Sequence, residues 1–347
     1  MALTRLTSAN AIPDDSIANV KMANIVQSKN IVINGDMAVN QRNTSVSGIT
    51  GNSYNTVDRM YLGITGAGTW TQSKDTTVPT GQGFANSLKM DCTTADASLA
   101  AADNCLLQTR FEGQNLQYLK KGTSSAESLT VSFWVYATKT GTNIVELYDV
   151  DNLRQISQAY TISSSNTWEK KELTFAGDTT GALDNDNASS FILLFGLAAG
   201  SNYTSGTLNT SWASATNANR YVGQVNHADS TSNNFYITGI QMEAGDTASE
   251  FEFLPYEVNL NRCYRYYFKT QSSQWLYAIN STNNNSRSEV VFKNTMRATP
   301  TATVAFSASG TGTGTQNANI NHVTVYVNGI GSGDTSLNTG ATFDSEL

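Results

Sequence analysis

The stretch SLTVSFWVYATKTG, residues 128–141, constrains the fold more than any other part of the chain. Leu129, Val131, Phe133 and Val135 alternate with Thr130, Ser132, Trp134 and Tyr136, a period of two that suits a β-strand with one face on a core. The aliphatic set packs inward, which leaves two aromatic rings on the opposite face. NIVELYD, WEKKELTF, FILLFGLA and FYITGIQME repeat the strand pattern, separated by Gly, Asn, Asp and Ser clusters. That succession predicts an all-β sandwich rather than βαβ units. Phe191 to Leu197 is apolar enough for burial on both faces. EGQNLQYLKK, residues 112–121, reads instead as a short helix with Leu116 and Leu119 inward and Gly122 as its stop.

The alternation breaks around Pro255 to Asn261, and RCYRYYFK follows with basic and aromatic residues interleaved. The expected architecture is therefore a jelly-roll β-sandwich over residues 30–258 and a small C-terminal β domain over 259–347. Short strands are expected near Trp275 to Ile279, Glu289 to Phe292, Thr301 to Phe306 and His322 to Asn328, with SASGTGTGTQNANIN as a mobile loop. So small a domain buries little apolar surface alone, and oligomerisation is the usual remedy. Residues 1–29 are expected to be a separate N-terminal attachment segment. Ile17, Val20, Ile25 and Val26 follow Asp14 and Asp15 at roughly helical spacing, too few to build a core of their own.

Charge narrows the function classes. Only 14% of the residues are Asp, Glu, Lys or Arg, against roughly 25% in ordinary soluble domains. Ser, Thr and Asn together number 116 of 347, so the surface is polar but largely neutral. A net charge of −7 gives no whole-chain footprint for nucleic acid, and the ten-residue run from Phe191 to Gly200 is half of a bilayer span. Neither nucleic-acid binding nor membrane insertion is expected. Cys92, Cys105 and Cys263 lack CxxC spacing and are read as reduced thiols.

Several segments resemble one family, the tail-fibre-like and other virion appendage proteins of tailed bacteriophages. They are NIVINGDMAVNQR (Asn30 to Arg42) with Thr56 to Arg59, EGQNLQYLKKG, SLTVSFWVYATKTGTNIVELYD, TWEKKELTFAGDTTGALDNDNASS, LAAGSN, TSGTLNTSWA and the run from Phe235 to Lys269. FKNTMRATPTATV, Phe292 to Val304, looks like a strand that recurs in their C-terminal domains. The resemblance implies a lectin-like jelly roll similar to carbohydrate-binding modules, then a small β domain that trimerises and faces the host. It implies a virion protein assembled in the bacterial host cytoplasm, docked on other virion proteins through residues 1–29 and touching a host cell-surface glycan. It also implies one structural calcium with Asp36 as candidate ligand, although Asn34, Gly35 and Asp36 read first as a simple tight turn. A capsid decoration or head-fibre protein without a receptor, and a polysaccharide depolymerase, are the alternatives.

Sugars present apolar C–H faces and dense hydroxyls, so their sites pair aromatic rings with neutral hydrogen-bonding side chains. Trp134, Tyr136, Tyr148, Trp212 and Tyr221 are the glycan-contact candidates; the competing reading buries such rings in a core or between subunits. No catalytic residue is assigned. His227 and His322 sit in Asn-rich contexts and are read as surface residues. Glu146, Glu172, Asp149, Asp151, Asp184 and Asp186 are the carboxylates that a glycosidase pair would draw on. DNDN, residues 184–187, starts like an EF-hand loop but places Ser189 where the turn needs glycine.

Overall fold

The computed structural model describes residues 29–270, 274–276, 286–308, 313–328 and 335–347. The attachment segment expected over residues 1–29 lies, apart from Lys29, outside the described residues. The first thirteen strands are β1 (Ser45–Ile49), β2 (Ser53–Tyr54), β3 (Tyr61–Thr65), β4 (Thr69–Asp75), β5 (Ser87–Thr94), β6 (Asn104–Glu112), β7 (Leu129–Ala137), β8 (Gly141–Asp149), β9 (Arg154–Ile162), β10 (Glu169–Phe175), β11 (Ser189–Ala199), β12 (Ala213–Ser214) and β13 (Asn234–Ala244). They form an antiparallel six-stranded sheet ordered β1-β4-β5-β13-β7-β10 and a seven-stranded sheet ordered β12-β9-β8-β11-β6-β3-β2.

The two sheets close on each other through the residues that the alternation assigns inward. Phe133 of β7 lies edge-on to Phe195 of β11 and Tyr160 of β9, each ring pair 5.1 Å apart. Leu129, Val131, Phe133 and Val135 are all buried in one core with Leu147, Ile156, Phe191 and Leu193. Strand β11 is buried on both faces as its composition predicts: Leu194 joins a second cluster with Leu106, Ile144 and Tyr221 on the outer side of the seven-stranded sheet. All three cysteines are buried and unpaired.

Local expectations were corrected in four places. Residues 112–121 do not form an α-helix but two 3₁₀ turns, Gly113–Asn115 and Gln117–Leu119, ended by Lys120 in the left-handed region. Leu116 and Leu119 are still buried, because a 3₁₀ turn repeats every three residues and keeps both on one side. A helix, Tyr256–Tyr264, runs through the expected boundary at 258/259 and takes in Arg262 and Tyr264 of RCYRYYFK. The stretch taken as a mobile loop contains β18 (Thr313–Ala318). His227 is fully buried, held with its Nε2 2.7 Å from Asn143 Oδ1.

Beyond the helix come β14 (Tyr267–Lys269), β15 (Gln274–Leu276), β16 (Ser286–Val291), β17 (Thr301–Ala308), β18, β19 (His322–Asn328) and β20 (Thr335–Asp344). Strand β20 pairs with β14, β15 and β17, while β19 lies between β16 and β18. Phe268, Phe292, Met296, Val323 and Phe343 supply a small core.

Charge, rather than a broad apolar surface, is concentrated where this unit meets the sandwich. The buried Glu112 carboxylate accepts from Arg265 Nε and Nη2 at 2.7 and 2.6 Å and from the Tyr266 hydroxyl at 2.6 Å. Burial opposes its ionisation, but these bonds outweigh burial and hold its pKa below the usual value. Arg59 pairs with Glu346 and stacks 3.5 Å over the Tyr266 ring. Arg42 reaches Asp344 and Glu346 at 3.2 and 3.3 Å. Breaking one partner of such a pair strands a charge away from water.

Candidate functional site

Strand register builds an aromatic face on the outside of the six-stranded sheet. Tyr136 of β7 lies opposite Tyr236 of β13, and Trp134 lies opposite Thr238 and, on its other side, Lys170 of β10. Tyr236 in turn faces Lys89 of β5, which faces Ser73 of β4. Trp168, just before β10, completes the group: its ring is 5.6 Å from Tyr136 and 6.4 Å from Tyr236, while Tyr136 and Tyr236 are 5.1 Å apart. All four rings are half-buried. The Lys89 ammonium stands 5.6 Å over the Tyr236 ring, and the indole N–H of Trp168 meets no hydrogen-bond partner among the described residues.

A bulge in β13 bounds this face. Pairing with β7 shifts register between Thr238 and Gln241, where Gly239 adopts φ +61°. A Cβ there would come within 2.5 Å of Phe84 Cζ and 3.2 Å of Trp134 Cδ1, so the missing side chain lets both rings close over the bulge. Phe84, Phe251 and Phe253 then form a wall, with ring centroids 4.8–5.0 Å apart. Past the bulge the outer face is closed: Gln241 and Glu243 are buried and bonded to Ser249, and Glu252 N donates to Gln241 Oε1 at 2.9 Å. One half of the sheet is thus an open floor with an aromatic wall at its end.

The five sequence candidates do not converge. Trp134 and Tyr136 belong to this floor. Tyr148 is half-buried on the other sheet, with the Arg220 guanidinium 5.1 Å above its ring. Trp212 packs 5.9 Å from Phe191 and donates from Nε1 to the Ala176 carbonyl at 2.7 Å. Tyr221 has no exposed surface and gives its hydroxyl proton to Glu146 Oε2 at 2.7 Å; as a surface contact it is corrected to a core residue. Trp168 and Tyr236 were missed, although the alternation of FYITGIQ, with Phe235 and Ile237 inward, carries the signal for Tyr236.

Five of the six carboxylates open to glycosidase chemistry, all but the exposed Asp184, hold a bond within the structure. Glu146 is buried and takes Arg220 Nε and Nη2 at 2.9 and 2.7 Å, and Asp149 is buried against Lys121. Asp151 and Asp186 accept main-chain N–H groups of Asp184 and Ala188, and Glu172 pairs with Lys170. Asp36 occupies the turn that its neighbours suggest: Met37 N donates to the Asn34 carbonyl, and Asp36 Oδ1 accepts from Asn259 Nδ2 at 3.0 Å. Burial raises its pKa. Its surroundings are N–H donors, and among the described residues no group of three or more His, Cys, Asp or Glu could hold a metal ion.

No protein-family model matches the chain, and no curated protein matches it. Solved structures are similar in part. An enzymatically active domain of tailspike protein 4 from bacteriophage CBA120 matches 62% of this chain at 12% identity with a TM-score of 0.31, and the match spans only 21% of the tailspike chain. A putative sugar binding protein from Bacteroides thetaiotaomicron matches 62% of this chain and 99% of its own at 11% identity, TM-score 0.32. The xylan-binding domain of Paenibacillus barcinonensis Xyn10C covers 64% and 100% at 13% identity, TM-score 0.26. No functional residue is carried over from any of them.

Proposed function

We propose that the chain is a non-catalytic glycan-recognition protein of a bacteriophage virion appendage, a short tail fibre or fibre-like spike. The observation that carries the glycan reading is the aromatic floor of Trp134, Tyr136, Trp168 and Tyr236 beside Ser73, Lys89 and Lys170, which offer hydroxyl and ammonium donors. Rings with a polar tip give a sugar both a stacking surface and a hydrogen-bond partner. The planes of Trp168, Tyr136 and Tyr236 differ by 46–86°, so they cannot stack together on a flat polymer surface. They suit a single glycan chain or a terminal sugar. The virion reading rests on the sequence segments that resemble phage appendage proteins. In it, residues 1–29 dock on the particle and three copies present three weak sites, which gains roughly 10²–10⁴ in avidity when they engage together.

A panel of host surface glycans titrated against the wild-type chain and the variants Trp134→Ala and Tyr236→Ala tests the site. At least one glycan is expected to bind, with each variant weakened about tenfold or more, equivalent to ~1.4 kcal/mol. Binding unaffected by both substitutions would remove the floor from consideration. Light scattering of the full chain is expected to give a trimer; a monomer would refute the trivalent arrangement and leave the floor untouched.

A further inference from the structure

Lys121 forms the most enclosed lysine ion pair among the described residues. Its side chain is 6% exposed, and its two carboxylate partners, Asp149 and Asp178, are 0% and 3% exposed. The pairs Lys120–Glu127, Lys139–Asp229, Lys170–Glu172 and Lys171–Glu169 all keep more contact with water. The Lys121 ammonium bonds directly to Asp149 Oδ2 and stands 2.9 Å from Asp178 Oδ2. The Thr180 and Gly181 carbonyls, at 3.2 and 2.9 Å, and the Trp212 ring, 5.2 Å away, also face it.

The groups around this amine do more than balance its charge. Asp149 Oδ1 accepts the Asn152 main-chain N–H at 3.0 Å, and the Asn152 side-chain amide reaches the two oxygens at 3.3 and 3.0 Å. Donors aimed at a carboxyl oxygen stabilise the oxyanion that forms when its carbon becomes tetrahedral. Asn152 is itself held, because its Nδ2 also donates to the Ala182 carbonyl at 2.8 Å. Asp178 takes Arg154 Nε and Nη2 at 2.7 and 2.9 Å and the Thr180 N–H at 3.1 Å. Burial alone would raise the Asp178 pKa, but its bonds to Arg154 and Lys121 hold it below the usual carboxylate value. It is therefore ionised and placed to accept a proton from the Lys121 nitrogen.

We infer that Lys121 and Asp149 condense into an intramolecular amide, a covalent modification made by the fold itself. The ammonium first gives one proton to Asp149 Oδ2, since exclusion of water lowers the cost of a neutral pair relative to two ions. The Nζ lone pair then attacks Asp149 Cγ and forms the C–N bond, with the oxyanion on Oδ1 held by Asn152. A second proton passes from the nitrogen to Asp178, which returns it to the Oδ2 hydroxyl; the C–O bond breaks and water leaves. Asp178 ends ionised as it began. One ammonium and one carboxylate become one amide and one water, with no oxidant or cofactor. Two groups held in contact react with an effective molarity of roughly 10⁵–10⁸ M, and the same enclosure keeps water from hydrolysing the product. The bond joins the segment leading into β7 of the six-stranded sheet to the end of β8 in the seven-stranded sheet. It is independent of the glycan reading.

Intact mass spectrometry of the denatured full chain tests this. The wild type is expected to be lighter by one water than the sum of its residues. Trypsin is expected to leave a branched peptide in which residues 121–139 and 140–154 are joined through Lys121 and Asp149. Lys121→Arg keeps the positive charge but removes the amine, and is expected at full mass with the two peptides separate. Asp178→Asn, with wild-type circular dichroism, is expected to cross-link about a hundredfold more slowly than the wild type. The wild-type mass is read without any substitution, so a variant that fails to fold leaves the test intact. Full residue mass in the wild type, loss of water confined to a linear peptide, or the same loss in Lys121→Arg would each overturn the cross-link. Cross-linking of Asp178→Asn at the wild-type rate would overturn the role of Asp178 as proton carrier.

Discussion

Lowering the pH from 7 to 4.5 presses a proton onto His227, a side chain with no surface open to solvent. The imidazole is fully buried, its Nε2 is 2.7 Å from Asn143 Oδ1, and its ring lies 5.4 Å from Phe235. Nδ1 has no partner among the described residues. Burial, aided by the nearby Lys139 charge and opposed by Asp229, pulls its pKa from 6.5 down to about 4. The unfolded chain takes up this proton near pH 6.5, whereas the folded chain refuses it until about pH 4. Between those values the unfolded state binds more protons, so stability falls as the pH falls. The contribution is fully present above pH 6.5 and amounts to about 2–3 kcal/mol lost between pH 7 and 4.5. Glu112, Asp178 and Asp229 have depressed pKa values and also lose stability in acid, so the wild-type curve alone does not isolate the histidine. The difference from His227→Gln does, because that variant keeps an amide donor and cannot titrate. Urea unfolding followed by tryptophan fluorescence at pH 7, 6, 5 and 4.5 measures both proteins. The wild type is expected to lose about 2 kcal/mol more than the variant across this range. Parallel curves would refute the buried neutral histidine.

Phe133→Ala removes a ring wedged between Phe195 and Tyr160 and is expected to cost about 3–5 kcal/mol, read from the shift in urea midpoint at constant slope. Arg220→Met leaves Glu146 buried without its cation; a loss of about 3 kcal/mol is expected, and a change under 1 kcal/mol would show that the pair is not holding the loop onto the sheet. Gly239→Ala meets both a positive φ and the Phe84 ring, so its melting temperature is expected to fall further than that of Gly48→Ala. Gly48 has φ +71° but open space around it, and equal losses would mean that the Phe84 contact is irrelevant.

The sandwich was legible because a period of two states which side of a strand is buried. Leu129 to Val135 and Phe191 to Leu197 behave as their spacing and composition require. Residues 112–121 were harder, since Leu116 and Leu119 sit on one side of an α-helix and of 3₁₀ turns alike. The helix Tyr256–Tyr264 was hidden in a stretch whose aromatic and basic residues show no clear apolar stripe. For the candidate site, alternation placed Trp134 and Tyr136 on the outer face. It had no means of joining them to Trp168, which precedes its strand, or of separating Tyr148 and Trp212 onto the other sheet.

Alternation and a neutral, Ser-, Thr- and Asn-rich surface determined by themselves that this chain makes a β-sandwich with aromatic side chains facing outward. Which aromatics meet, and which are buried, was decided by tertiary structure. The register of β7 with β13, and the lead into β10, gather Tyr136, Tyr236, Trp168 and Trp134, while a loop folded over the other sheet buries Tyr221 against Glu146. The charged joint was equally invisible, because Glu112 and Arg265, or Arg59 and Glu346, lie 153 and 287 residues apart. Local sequence sets the direction in which each side chain points; only the pairing of distant strands decides what it points at.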